Sequence, residues 1–156
     1  MLNWLRGLFS APRPAGPPQR MRAFGPSDTP LTRDGVSADQ AGWRIECREG
    51  RTIRLFEVAP GPGTAPCLLA YRVQLKTADA QGRVYLEMWC RLPGKGEFFS
   101  KGFQHAVKGT VDWGAYEVPF YLKAGQHPDL LKLNLVCEGA GTVWVKDVEV
   151  LRTPLA

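Results

Sequence analysis

Residues 67–77, CLLAYRVQLKT, set Cys67, Leu69, Tyr71, Val73 and Leu75 in strict alternation with Leu68, Ala70, Arg72, Gln74 and Lys76. A period of two puts each set on one face of an extended chain, so this is a half-buried β-strand with one apolar side. The pattern recurs in RVYLEMWCRL (83–92), where Val84, Leu86, Met88, Cys90 and Leu92 oppose Tyr85, Glu87, Trp89 and Arg91. It returns in AYEVPFYLK (115–123), through Tyr116, Val118, Phe120 and Leu122, and in LLKLNLVCEG (130–139), through Leu131, Leu133, Leu135 and Cys137. WRIECR (43–48) and TIRLFEV (52–58) flank the turn REGR as a hairpin. In GTVWVKDVEVLR (141–152), Val143 and Val145 differ in parity from Val148 and Val150, which predicts a bulge at Lys146 and Asp147 that returns all four to one face.

Gly- and Pro-rich punctuators separate these runs: APGPGTAP (59–66), ADAQG (78–82), LPGKG (92–96), KAGQHPD (123–129) and EGAG (138–141). No stretch holds a capped helical period. The reading is an all-β antiparallel sandwich of 7–9 strands, with a short extra strand expected within 99–111.

The chain has 156 residues, 44% hydrophobic and 22% charged, which suits one soluble domain rather than a disordered chain. Six prolines between Ala11 and Pro30 argue for a linker, so residues 1–35 read as a flexible, basic, Pro-rich leader and 36–156 as the binding domain. The leader holds five arginines against two aspartates, whereas the remainder intersperses 15 basic with 13 acidic side chains. Nucleic-acid binding is not expected, because a nucleic-acid surface clusters its cations on the folded face.

Leu2, Leu5, Leu8 and Phe9 recur at helical spacing beside Trp4, so residues 1–12 offer a short interfacial helix and peripheral membrane contact, against a disordered leader. The segment makes a poor signal peptide, and this favours a cytoplasmic or peripheral membrane location. Cys47, Cys67, Cys90 and Cys137 are too far apart for a metal knuckle and read as buried thiols; Cys90 with Cys137 is the disulfide to test first.

Little in the sequence supports catalysis. The two histidines are His105, in an aromatic loop, and His127, in a turn; Ser100 and His105 lack a third partner, and Glu87 and Glu97 lie on different elements. No catalytic residue and no cofactor is expected. Binding has more content. Tyr85, Glu87, Trp89 and Arg91 make an aromatic, acidic, aromatic and basic stripe opposite the core face, suited either to stacking and hydrogen bonding a sugar or to a subunit contact. GEFFSKGFQH (96–105) follows; its phenylalanines read as a lid folded beneath the end of the sandwich, with Lys101, Gln104 and His105 reaching toward any site.

Three motifs carry a family resemblance. The W-x-x-Y strand (Trp113 to Leu122), the L-x-L-x-L strand (Leu131 to Leu135) and G-x-G-T-V-W-V-x-D-V (Gly139 to Val148) resemble the C-terminal half of jelly-roll carbohydrate-binding modules of the galactose-binding-like fold. YLEMWC (85–90) and GEFFSKG (96–102) also resemble stretches of uncharacterised bacterial proteins. The jelly-roll resemblance implies a non-catalytic binding module; Trp113, at the entry of a strand whose inward side is Tyr116, Val118 and Phe120, is placed to plug one end of the sandwich as a core ring. The resemblance also implies a structural calcium at Asp147, although Lys146 replaces a frequent second acid and calcium wants six to eight oxygens. The expected partner is a carbohydrate or another protein subunit.

Overall fold

The computed structural model describes residues 13–61 and 66–156. The apolar peptide at 1–12, with the membrane contact expected of it, lies outside the described residues. Nine strands occur among those described: β1 (Gln19–Phe24), β2 (Val36–Asp39), β3 (Gly42–Cys47), β4 (Arg51–Val58), β5 (Cys67–Leu92), β6 (Gly96–Lys101), β7 (Val107–Leu122), β8 (Leu130–Cys137) and β9 (Gly141–Pro154). All their pairings are antiparallel. This is the antiparallel β-sandwich expected from the alternation, with the jelly-roll architecture that the family resemblance implies.

β5 organises it. The two alternating runs at 67–77 and 83–92 are halves of one 26-residue strand, so the turn expected at ADAQG is instead a bend within it. On one edge of β5 run β6, a single 3-10 turn (Phe103–His105) and β7. On its other edge run β8, a tight reversal and β9. The bend folds this three-stranded ribbon over on itself. Its first half makes a sheet of β7, β5 and β9, to whose outer edge β3 and β1 add; its second half makes a sheet of β6, β5, β8 and β4.

The bend keeps its hydrogen bonds by slipping register three times against β7 and by turning Asp79 to φ 53°. Thr77 Oγ1 donates to the Gly109 carbonyl at 3.0 Å, and Gln81 N–H donates to Ala140 O at 2.8 Å. Small polar and glycine residues serve a bulged bend as readily as a hairpin turn, which is why the segment reads as punctuation.

Both inner faces bury the predicted sets. Cys67, Leu69, Tyr71, Val73 and Leu75 meet Val84, Leu86, Met88, Cys90 and Leu92 of the other half. The Tyr71 hydroxyl donates across the core to the Asn134 carbonyl at 3.2 Å, linking the two sheets, and full burial pushes its pKa up. The bulge in β9 forms where the parity change predicts it: Asp147 takes φ 53°, and Val143, Val145, Val148 and Val150 are all buried.

Three expectations need correction. Residues 19–24 lie within the segment read as a linker, yet β1 pairs with β9 from Phe24↔Val148 to Gln19↔Arg152. Phe24 stacks on Phe56 at 4.0 Å, and Leu31 and Thr32 donate backbone bonds to β4. An edge strand needs pairing on one side only, so prolines just ahead of it do no harm. Trp113 does not plug the sandwich; it lies half-buried on the outer face, under the ammonium groups of Lys76 and Lys146.

Cys90 cannot reach Cys137, which sits opposite Val84, six residues or roughly 20 Å along β5. All four cysteines are buried and free. Cys137 neighbours Cys47 instead: a hydrogen bond between the two thiols, helped by Arg51, holds the Cys47 thiol below its ordinary value.

The bend tolerates no side chain at Gly82, where a Cβ would stand 2.6 Å from the Glu138 carbonyl carbon and 2.8 Å from Gly139 N. Gly82→Ala is expected to cost about 1–3 kcal/mol, the usual price of overpacking, and to lower the melting temperature by several degrees. Gly25→Ala, with nothing within 4 Å of the new methyl, is expected to melt like the parent chain.

Candidate functional site

On the outer face of the β6–β5–β8–β4 sheet, side chains line up across strands in rows. Glu87 stands between Asn134 of β8 and Lys101 of β6; Trp89 stands between Lys132 and Phe99; Arg91 stands between Leu130 and Glu97. The parity of β5 therefore carries Tyr85, Glu87, Trp89 and Arg91 to one face, as the alternation implies.

The stripe is not equally open. Tyr85 is only 6% exposed, because Phe103 packs on it with ring centroids 4.7 Å apart. Burial also pushes the Tyr85 pKa up. Glu87 is 7% exposed and saturated: Trp89 Nε1 donates to its Oε1 at 2.7 Å, Asn134 Nδ2 donates to the same oxygen at 3.1 Å, and Lys101 Nζ stands 3.6 Å from Oε2. A buried carboxylate with two donors and a cation is a positioning device, and here it fixes the plane of the Trp89 indole. Trp89 is half-buried and tilts against Phe99, centroids 5.0 Å apart. Arg91 is exposed and engages Asp129 through two bonds of 2.8 and 3.1 Å; that hydrogen bonding holds the Asp129 carboxyl below its ordinary value.

The phenylalanines differ from expectation. GEFFSK is strand β6, with Phe98 45%, Phe99 53% and Phe103 45% exposed, so they are surface rings rather than a lid folded beneath. The doubled Phe carries the signal that could have shown this, since neighbours on a strand point to opposite faces and both cannot lie underneath. Lys101 lies 4.8 Å above the Phe99 ring and 5.7 Å from that of Phe103.

Lys101, Gln104 and His105 share a second feature, a groove of about 580 Å³. Its floor is the outer face of the other sheet, through Leu68, Ala70 and Arg72 of β5, Glu117 and Pro119 of β7 and Leu151 of β9. The predicted residues thus divide between two surfaces, the aromatic face for Tyr85, Glu87, Trp89 and Arg91 and the groove for Gln104 and His105, with Lys101 reaching both. The groove floor escaped the sequence reading because its residues come from strands far apart in the chain.

Asp147 does not fit the calcium that the family resemblance implies. It is exposed on the β9 bulge, and among the described residues no three His, Cys, Asp or Glu side chains gather where a metal could bind.

No protein-family model matches the chain, and no curated protein matches its sequence. Solved structures do match in shape. The CBM22-1 xylan-binding domain from Paenibacillus barcinonensis Xyn10C superposes with a TM-score of 0.55 at 10% identity, over 94% of this chain and all of that one. An Asp-to-Ala mutant of the family 29 carbohydrate-binding module CBM29-2 gives 0.50 at 11% identity, over 89% and 88% of the two chains. A Glu-to-Arg mutant of a family 29 module gives 0.50 at 12%, over 88% and 94%. At such identities the likeness establishes the fold, a jelly-roll sandwich shared with carbohydrate-binding modules.

Glu87→Leu is expected to destabilise the chain by about 1–3 kcal/mol for each buried donor left without its acceptor, measured by urea denaturation. It is also expected to red-shift tryptophan emission as the Trp89 ring loosens. Glu87→Gln keeps an acceptor oxygen and is expected to recover most of both losses.

Proposed function

We propose that the chain is a non-catalytic module that binds a carbohydrate at the aromatic face of β5 and β6. Trp89, Phe99 and Phe103 supply the ring surface for the apolar side of a sugar, while Arg91 and Lys101 donate to its hydroxyls. Glu87 and Tyr85 act from beneath, one holding the Trp89 indole and the other supporting Phe103. The observation that carries this reading is the oriented pair of Trp89 and Phe99: a ring fixed by a 2.7 Å hydrogen bond to a buried carboxylate, beside a ring more than half exposed.

Two features lend support. The charges of this face are paired internally, Arg91 with Asp129, Lys132 with Glu97 and Lys101 with Glu87, which suits a neutral ligand better than an ionic one. The fold is also that of a xylan-binding domain.

A second reading rests on β6 itself. Among the described residues β6 pairs with β5 alone, so it forms a sheet edge, and it displays Phe98 and Phe99; an edge of that kind can take up a second copy of the chain or another protein.

Affinity electrophoresis in xylan, glucomannan and mixed-linkage glucan gels, with light scattering, separates the two. Retention by at least one glycan is expected, falling tenfold or more in Trp89→Ala and Phe99→Ala, which is about 1.4 kcal/mol per factor of ten, while the protein stays monomeric. No retention by any glycan, with a dimer that Phe99→Asp dissociates, would replace the first reading by the second.

A further inference from the structure

The outer face of the β7–β5–β9–β3 sheet carries a second aromatic cluster of different character. Arg44 of β3 stands beside Trp144 of β9, and Trp144 stands beside Lys76 of β5. Trp113 of β7 lies on the far side of Lys76. The Lys76 ammonium sits 4.7 Å from the Trp144 ring and 5.3 Å from the Trp113 ring, and Lys146 Nζ stands 4.3 Å from the Trp113 ring. Arg44 lies 5.9 Å from Trp144. The cluster is built, not incidental: Trp144 Nε1 donates to Asp39 Oδ2 at 3.0 Å, and Lys76 Nζ donates to the Gln40 amide oxygen at 2.8 Å.

Its charge balance differs from that of the opposite face. Arg44 pairs with Glu46. Among the described residues, neither Lys76 nor Lys146 forms a salt bridge; their recorded partners are indole rings and one amide oxygen. Two half-buried ammonium groups on neighbouring strands, held by rings rather than neutralised by carboxylates, form a preset site for an anion. A groove of about 410 Å³ begins beside the cluster at Gln74, which pairs with Lys146, and runs along the same face past Arg72, Asp147 and Glu149. That path suits an extended ligand better than a lone ion.

We propose that this face is a second binding site, for an acidic polysaccharide whose carboxylate or sulfate groups bridge Lys76 and Lys146 while its sugar rings lie against the edges of Trp113 and Trp144. A sugar polymer fits better than a nucleic acid, because ammonium groups already lie over the indole faces on which bases would stack. Arg72 and Arg20, farther along the groove, are bonded to Glu117 and Glu149, so charge concentrates at the tryptophan end. The inference does not rest on the sugar site proposed at Trp89, which lies on the other sheet.

The probe is polygalacturonate, with neutral dextran and oligothymidylate as comparisons, titrated against the full chain at low and high salt. Polygalacturonate is expected to bind and to weaken as salt screens the lysines, with dextran showing no binding that Lys76 or Lys146 influences. Lys76→Gln with Lys146→Gln is expected to lower its affinity about tenfold or more at an unchanged melting temperature. Trp113→Leu is expected to weaken it while leaving both charges, and Trp89→Ala to leave it intact. If the double lysine variant unfolds, Lys146→Gln alone replaces it, with a smaller loss expected in the same direction. The proposal is overturned if polygalacturonate does not bind, if its binding ignores the lysines, if Trp89→Ala abolishes it, or if oligothymidylate binds more tightly. Loss of neutral-glycan binding in Trp89→Ala is read separately and bears only on the other face.

Discussion

The bend in β5 between Ala78 and Arg83 is the constraint on which the remaining architecture depends. A strand paired along both edges cannot turn back without losing bonds, unless its neighbours turn with it. Here both do. The 3-10 turn between β6 and β7 and the reversal between β8 and β9 fall beside the bend, so the three strands fold together. Gly82 and Gly139 approach within backbone contact, and Arg83 with Glu138 closes the outside through two hydrogen bonds, one of 3.0 Å. The inner faces of the two halves then meet as the core, with the Tyr71 hydroxyl bridging them.

From that geometry follow two outer faces of opposite temperament. On the β6 side the strand residues neutralise one another, and what remains exposed is aromatic. On the β9 side the tryptophans lie under Lys76 and Lys146, which among the described residues form no salt bridge. Both faces combine the same ingredients, Trp and Lys on neighbouring strands. They differ in whether a buried acid is present: Glu87 accepts the indole N–H bond and faces the Lys101 ammonium on one face, whereas on the other Asp39 accepts only an indole N–H.

Much of the fold was legible because period two is a local signal. The inward residues of β5, β8 and β9 read directly from alternation, and so did the β9 bulge, since a change of parity between Val145 and Val148 has few other resolutions. The bend did not, because ADAQG has the composition of any turn and only the continued pairing on both sides reveals a single strand. β1 was hidden by the prolines that flank it, Pro17 and Pro18 before it and Pro26 after it, which gave the whole stretch the composition of a linker. For the candidate site, the alternation placed Tyr85, Glu87, Trp89 and Arg91 on a common face, yet it could not tell that Phe103 covers Tyr85 or that Asn134 meets Glu87. Those contacts join positions 18 and 47 residues apart. The Trp–Lys cluster was less visible still, being assembled from Lys76, Trp113, Trp144 and Lys146 on three strands.

The order in which partners are synthesised adds a consequence of the β5 ribbon. Every strand bonded directly to β5 lies downstream of it in the chain, and β1 and the β2–β3 hairpin join the sheet through β9, which ends at Pro154. During translation the β5 segment therefore emerges with both edges unsatisfied; β6, β7 and β8 can close one edge and half of the other, but the edge of Cys67–Ala78 that β9 covers stays open until β9 has left the ribosome. Such non-local closure is slow and leaves apolar strand edges open to other chains. The interspersed Arg72, Lys76, Arg83, Glu87 and Arg91 on its non-core side give that nascent strand a charged flank through the interval, a protection against self-association that the folded state no longer displays as such.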